Sequence, residues 1–263
     1  MKKIVLLAAA LLLVCSTDAF AQVKLGKKTI NVEKVKDAAS DVVTAVTLSD
    51  ADVAELCRES VQWMDENNQV ADETTEYGQR LQRLTANLTN YDGMKLNFKV
   101  YLVTDINAFA SGDGSIRVFS ALMDMMSDDE LMAIIGHEIG HIKNTDVKDA
   151  IKTAYMTSAA VKAAGSGSGK VSQLTEEQLG EIVASFTNAQ FSQKQENGAD
   201  DYAFQFCVKN NIDPYAMALS LEKLVDLSGG AQASRLQKMF SSHPDSQKRA
   251  TRMRTKADEH TKQ

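Results

Sequence analysis

The chain of 263 residues has room for one sizeable domain or two small ones. Hydrophobic residues at 44% and charged residues at 24% give no sign of disorder. A net charge of −6 with no basic cluster argues against nucleic acid and against anionic membrane surfaces as partners.

The first residues follow the plan of a secretory leader. Lys2 and Lys3 precede an apolar run over residues 4–14, and Ala19-Phe20-Ala21 supplies small residues at a cleavage spacing. Residues 1–21 are therefore expected to be a signal peptide, with residues 22–47 an N-terminal extension and 48–263 the functional domain. Cleavage before Gln22 is the first expectation. A lipid anchor on Cys15 is the alternative, weakened by Val14, which is not the small residue such a site wants. Cys57 and Cys207 either form one disulfide across a long loop or stand as two separate buried thiols.

With two prolines and many Ala, Leu, Met, Glu, Gln and Lys, helix should dominate. Residues 48–67 carry Val53, Leu56, Cys57, Val61 and Met64 at helical spacing, and residues 74–88 repeat the pattern with Tyr77, Leu81, Leu84 and Leu88. The period then changes. Residues 96–104 and 116–119 read as strands, separated by a glycine-bearing reversal, so a small antiparallel sheet of two or three strands is expected. Ser127 and Glu130 form a capping box that opens a helix running to about Asn144. A Gly/Ser-rich stretch over residues 163–170 reads as linker or mobile loop. One long helix is expected over residues 175–210, and Asp213-Pro214 as N-cap and first position of another, ending near Gly229-Gly230. The charged tail from Asp245 has helical propensity. The fold class is α+β, mostly helical.

The chemistry concentrates in His137-Glu138-Ile139-Gly140-His141. Residues four apart on a helix point about 40° from each other, so both imidazoles can grip one ion. Glu138 lies about 100° round, off the metal, placed to take a proton from a water beside it. This is the pattern of a zinc hydrolase acting on peptide bonds, with Gly140 expected to leave room beside the ion. A third histidine shortly downstream is lacking, because Asn144 and Val147 stand where that pattern needs glycine and histidine. Glu196 and Asp200 are four apart and could face the metal helix, one as ligand and one as its support. Spacing alone leaves that open against an ordinary solvated face. His243 and His260 are the remaining histidines.

Together with Phe191, Glu196, Ala199 and Asp200, the residues Asn107-Ala108-Phe109-Ala110, and Ser242-His243-Pro244 with Arg249, the motif resembles the HtpX/CAAX-prenyl-protease family of zinc metallopeptidases. The likeness covers nearly the whole chain after the leader and is nearest to soluble envelope members, some of them outer-membrane-associated. The resemblance implies a zincin-like core and one Zn2+ held by His137, His141 and Glu196. It makes Glu138 the general base and Asp200 the partner of a ligand histidine. Residues Asn107, Ala108, Phe109 and Ala110 would form an edge strand along which substrate pairs. His243 would lie near the active site, stabilising an oxyanion or occupying the open metal position at rest, against the plainer reading of a loop histidine. Arg249 is read as structural, pairing with a carboxylate. Unlike membrane-embedded relatives, residues 147–175 are too polar to span a bilayer. The function expected is proteolysis of unfolded or misassembled exported proteins in the periplasm or at the outer membrane. A zinc-retaining, chaperone-like protein that rarely cuts is the alternative.

Overall fold

The computed structural model describes residues 22–25, 28–31, 48–163 and 174–262. The expected leader, the lipidation position at Cys15, most of the N-terminal extension and most of the Gly/Ser stretch lie outside the described residues. Strands β1 (Gln22–Leu25) and β2 (Lys28–Asn31) pair antiparallel.

Helix α1 (Asp50–Asn67) starts on a capping box between Ser49 and Asp52 and buries Val53, Leu56, Cys57, Val61 and Met64, the stripe its spacing predicts. Helix α2 (Glu76–Thr85) is capped by Thr75 and buries Leu81. A short hairpin, β3 (Asn90–Tyr91) and β4 (Met94–Lys95), turns at Asp92 and Gly93, both at positive φ. Strands β5 (Asn97–Tyr101), β6 (Ala108–Ala110) and β7 (Ser115–Phe119) form a sheet in the order β5-β7-β6.

This sheet is mixed. β6 and β7 pair antiparallel as expected, but β5 lies parallel to β7, so residues 102–107 cross over instead of reversing the chain tightly. The tight reversal sits one strand later, where Ser111 N–H donates to Ser115 O at 2.8 Å and Gly114 takes φ +93°. A Cβ at Gly114 would meet Lys95 O at 2.0 Å, so only glycine fits.

A short helix α3 (Ser120–Met125) leads to α4 (Asp128–Lys143), which Thr145 separates from α5 (Asp146–Ala163) by its left-handed φ of 66°. The single helix expected over residues 175–210 is two: α6 (Glu176–Thr187) and α7 (Gln193–Lys209). Ser192 and Gln195 form a capping box that starts α7 afresh, which is the local reason for the break. Helix α8 (Ala216–Ser228) begins later than Asp213-Pro214 suggests. The Asp213 carboxylate accepts from Tyr215 N–H at 2.9 Å, holding a turn ahead of the helix. Helices α9 (Ala233–Ser242) and α10 (Ser246–Thr261) complete the chain.

The main core gathers α4, α7, α8 and the buried face of the sheet around Leu131, Ile135, Ile139, Phe206 and Leu221. Cys207 belongs to it, whereas Cys57 sits in a second cluster with Leu56 and Ile151; both thiols are free and buried. Burial pushes them up, to about 11 for Cys57 and about 12 for Cys207, which keeps them inert. Among the described residues, no helix is long and apolar enough to cross a membrane.

Candidate active site

The site is built where α4 crosses α7. Ser127 and Glu130 cap α4 reciprocally, Glu130 N–H to Ser127 Oγ at 3.3 Å and Ser127 N–H to Glu130 Oε2 at 2.7 Å. From this fixed start, residues 130–142 are all buried. Gly140 does not make room for an ion, as its place in the motif suggests. A Cβ there would meet Ala199 Cα and O at 3.0 Å, and one at Gly136 would meet the Phe206 ring at 2.6 Å. The two glycines, one turn apart, let α7 approach backbone to backbone and bring Glu196 and Asp200 against the motif.

Four side chains converge. His137 Nε2 and His141 Nε2 are 3.1 Å apart. Glu196 Oε2 lies 3.6 Å from the first and Oε1 3.4 Å from the second. His243, at the C-cap of α9, places Nδ1 2.9 Å from Glu196 Oε1 and 3.4 Å from His137 Nε2. All four residues are buried, and their donor atoms lie within 4.8 Å of one another. A four-coordinate metal with bonds near 2.0–2.1 Å separates its donors by about 3.3 Å, so this set fits one ion.

Each ring is held from behind. His137 Nδ1 is 3.0 Å from Asp200 Oδ1, and His141 Nδ1 is 2.9 Å from Asp146 Oδ2. Arg249 grips Asp200 with two hydrogen bonds, at 2.7 and 2.9 Å, and forms an ion pair with Glu196. That ion pair lacks hydrogen-bond geometry, and among the described residues Glu196 Oε2 has no hydrogen-bond partner although it is fully buried. Such an oxygen among ring nitrogens is what a ligand carboxylate presents. Phe191 stacks on the His141 ring, centroids 4.1 Å apart.

The electrostatics point the same way. Burial alone would raise Asp200, but Arg249 and His137 hold it well below the usual carboxylate range. Burial would also raise Glu196, yet His243 and His141 keep it ionised far below that range. Burial lowers His137 more than Asp200 raises it. For His141 burial is outweighed by Asp146 and Glu196, which hold it up to about 9. The field around that ring favours added positive charge, from a proton or a divalent cation.

Glu138 is buried with its Oε1 3.8 Å from His243 Nε2, off the donor cluster. It lines a narrow cleft, with an enclosed volume of only about 30 Å³, together with Asn107, Ala108, Phe109, Ala110, Phe186, Phe191 and His243. Strand β6 is the edge of its sheet on this side, so the expected strand borders the expected base. His260 is remote and packs edge-on against Phe204. Asp146 is the contributor that sequence reasoning missed, and Phe191 enters there only through the family likeness, with no role of its own. Nothing in the spacing separates Asp146 from an ordinary acidic start of a helix, and no local pattern stacks Phe191 on His141.

The model of peptidase family M48 matches residues 73–257, most of the chain and all of this site. The chain belongs to peptidase family M48. It is 40% identical over 235 residues to Metalloprotease LoiP of Escherichia coli K12, which spans 89% of this chain and 92% of that one. It is also 40% identical over 211 residues to Metalloprotease YcaL of the same organism, covering 80% of this chain and 82% of the relative. The similarity to the Beta-barrel assembly-enhancing protease of Escherichia coli K12 is weaker, 27% over 183 residues and 37% of that protein's length. This M48 chain is a metalloendopeptidase.

Proposed function

We propose that this peptidase is zinc-dependent and cuts unfolded or misassembled exported proteins in the bacterial cell envelope. The observation that carries the catalytic part is the buried donor set of His137, His141, Glu196 and His243 beside a cleft that Glu138 and His243 line. His137, His141 and Glu196 are the proposed ligands, with Asp146 and Asp200 fixing the two imidazoles. Two imidazoles and a carboxylate, with a position left for substrate, suit catalytic zinc better than structural zinc. Zinc supplies Lewis acidity there, activating water and polarising the scissile carbonyl.

The chain's own residues do the rest. Glu138 takes the proton of the attacking water and delivers it to the leaving nitrogen. Strand β6 offers its free edge to an extended substrate, which adds as a further strand. The buried Asn107 Oδ1 has no hydrogen-bond partner among the described residues and is placed to accept a substrate N–H. An edge strand reads backbone, so any locally unfolded chain qualifies as substrate.

His243 Nδ1 completes the donor set, which favours a resting state in which this imidazole fills the position substrate needs. The leader-like residues 1–21 support export, and the named role of one relative in β-barrel assembly supports the envelope setting. The test is cleavage of a defined unfolded protein with and without a chelator, followed by zinc add-back. Products that appear only with zinc support the reading. Cleavage that persists under chelation opposes it.

A further inference from the structure

The cleft holds one charged group that neither metal binding nor proton transfer uses. Lys238, on α9, lines the same cavity as Glu138 and the edge strand. It is half-buried, and among the described residues no carboxylate is paired with its ammonium. Phe109, Val147, Phe186 and Phe191 make much of the surrounding wall apolar, and the other ionisable groups on it are Glu138 and His243. Ser242 lies one helical turn beyond Lys238, and its carbonyl accepts Phe191 N–H at 3.1 Å. That bond ties the end of α9 to the segment that packs on His141. Lys238 is thus carried on a wall held fixed against the site.

We propose that Lys238 is a specificity-determining residue that selects a carboxylate in the substrate, next to the scissile bond. The proposal rests on the peptidase reading above. An ammonium on the wall of a partly apolar cleft, with no carboxylate paired to it, can receive a substrate carboxylate by a charge-assisted hydrogen bond. Such a carboxylate belongs either to an Asp or Glu side chain or to the substrate's own C-terminus. The free strand edge supplies affinity without sequence choice, so one charged contact in the cleft is enough to bias the cut position.

The experiment compares peptides identical except for Glu, Gln or Lys at successive positions across the scissile bond, each with a free and an amidated C-terminus. At one position Glu should be cut with kcat/KM about fivefold above Gln, and Lys should be cut worst. If amidation alone removes the preference, the carboxylate read is the C-terminal one. In Lys238→Gln the Glu-over-Gln ratio should fall to about one, in Lys238→Glu it should invert in favour of Lys, and Lys238→Arg should keep it. Binding of the labelled Glu and Gln peptides to the Glu138→Gln protein gives the same ratio without turnover. A chain that cuts nothing yet binds with this ratio would fail the peptidase reading and keep this one. Equal ratios for the wild type and Lys238→Gln, in cutting and in binding, would overturn it.

Discussion

His141 and Asp146 are only five residues apart, yet they meet side chain to side chain, Nδ1 to Oδ2 at 2.9 Å, across a break between two helices. The break depends on Thr145, whose φ of 66° ends α4 and turns the start of α5 back towards the motif. A carboxylate on the far nitrogen fixes which imidazole nitrogen faces the metal and raises its basicity. Asp146→Asn should therefore weaken zinc affinity by about 10- to 100-fold while leaving the fold intact. Competition with a chelator dye measures this; an unchanged affinity would make the contact incidental.

His243 separates two roles by the sign of one effect. As a group that fills the substrate's position at rest, it should slow substrate entry, and His243→Ala should lower KM or raise activity on unfolded protein. As an oxyanion donor, its loss should lower kcat by about 10²- to 10³-fold. Steady-state kinetics of this variant read both. The 2.9 Å contact with Glu196 favours the first outcome.

Gly140 sets the distance between α4 and α7. In Gly140→Ala the new methyl would press on the Ala199 backbone at 3.0 Å, which cannot yield as a side-chain tip can. A loss of about 1–3 kcal/mol in urea unfolding is expected, with weaker zinc binding because Glu196 moves with α7. Wild-type stability would show that the helices slide apart at no cost.

Away from the site, Asp65 neutralises the buried Arg117, with contacts at 2.8 and 3.0 Å, and also accepts from Lys99 and Tyr101. Burial would raise Asp65, but these hydrogen bonds, Arg117 first, hold it below the usual carboxylate value. A depressed carboxylate contributes stability that is fully present above its unfolded pKa of about 3.9 and is lost as pH falls through the folded value. Asp65→Asn should therefore destabilise at neutral pH, by about 3–5 kcal/mol because Arg117 loses its counter-charge. It should also flatten the fall in stability below about pH 4. Thermal melts across pH check both.

Much of the site was legible because its signals are local. The capping box at Ser127 and Glu130, the four-residue spacing of His137 and His141, and that of Glu196 and Asp200 all act within a turn or two of helix. What stayed hidden depends on where helices stop. The break at residues 188–192 follows from the Ser192–Gln195 box, which was readable but masked by helical composition on both sides. The approach of Asp146 depends on one left-handed residue, and the parallel pairing of β5 with β7 on a crossover whose path no local pattern dictates. Gly140 stands out in the motif, but its neighbour is α7 and not the metal, and only the packing of the two helices reveals that.

In the proposed mechanism Glu138 moves the proton in a site whose metal is held by other residues. Its most direct test is Glu138→Gln, assayed together for bound zinc and for casein cleavage. Because Glu138 stands apart from the donor cluster, the variant should retain a stoichiometric zinc and lose cleavage by about 10²- to 10⁴-fold or more. Full cleavage by the zinc-loaded variant would rule Glu138 out as the proton carrier.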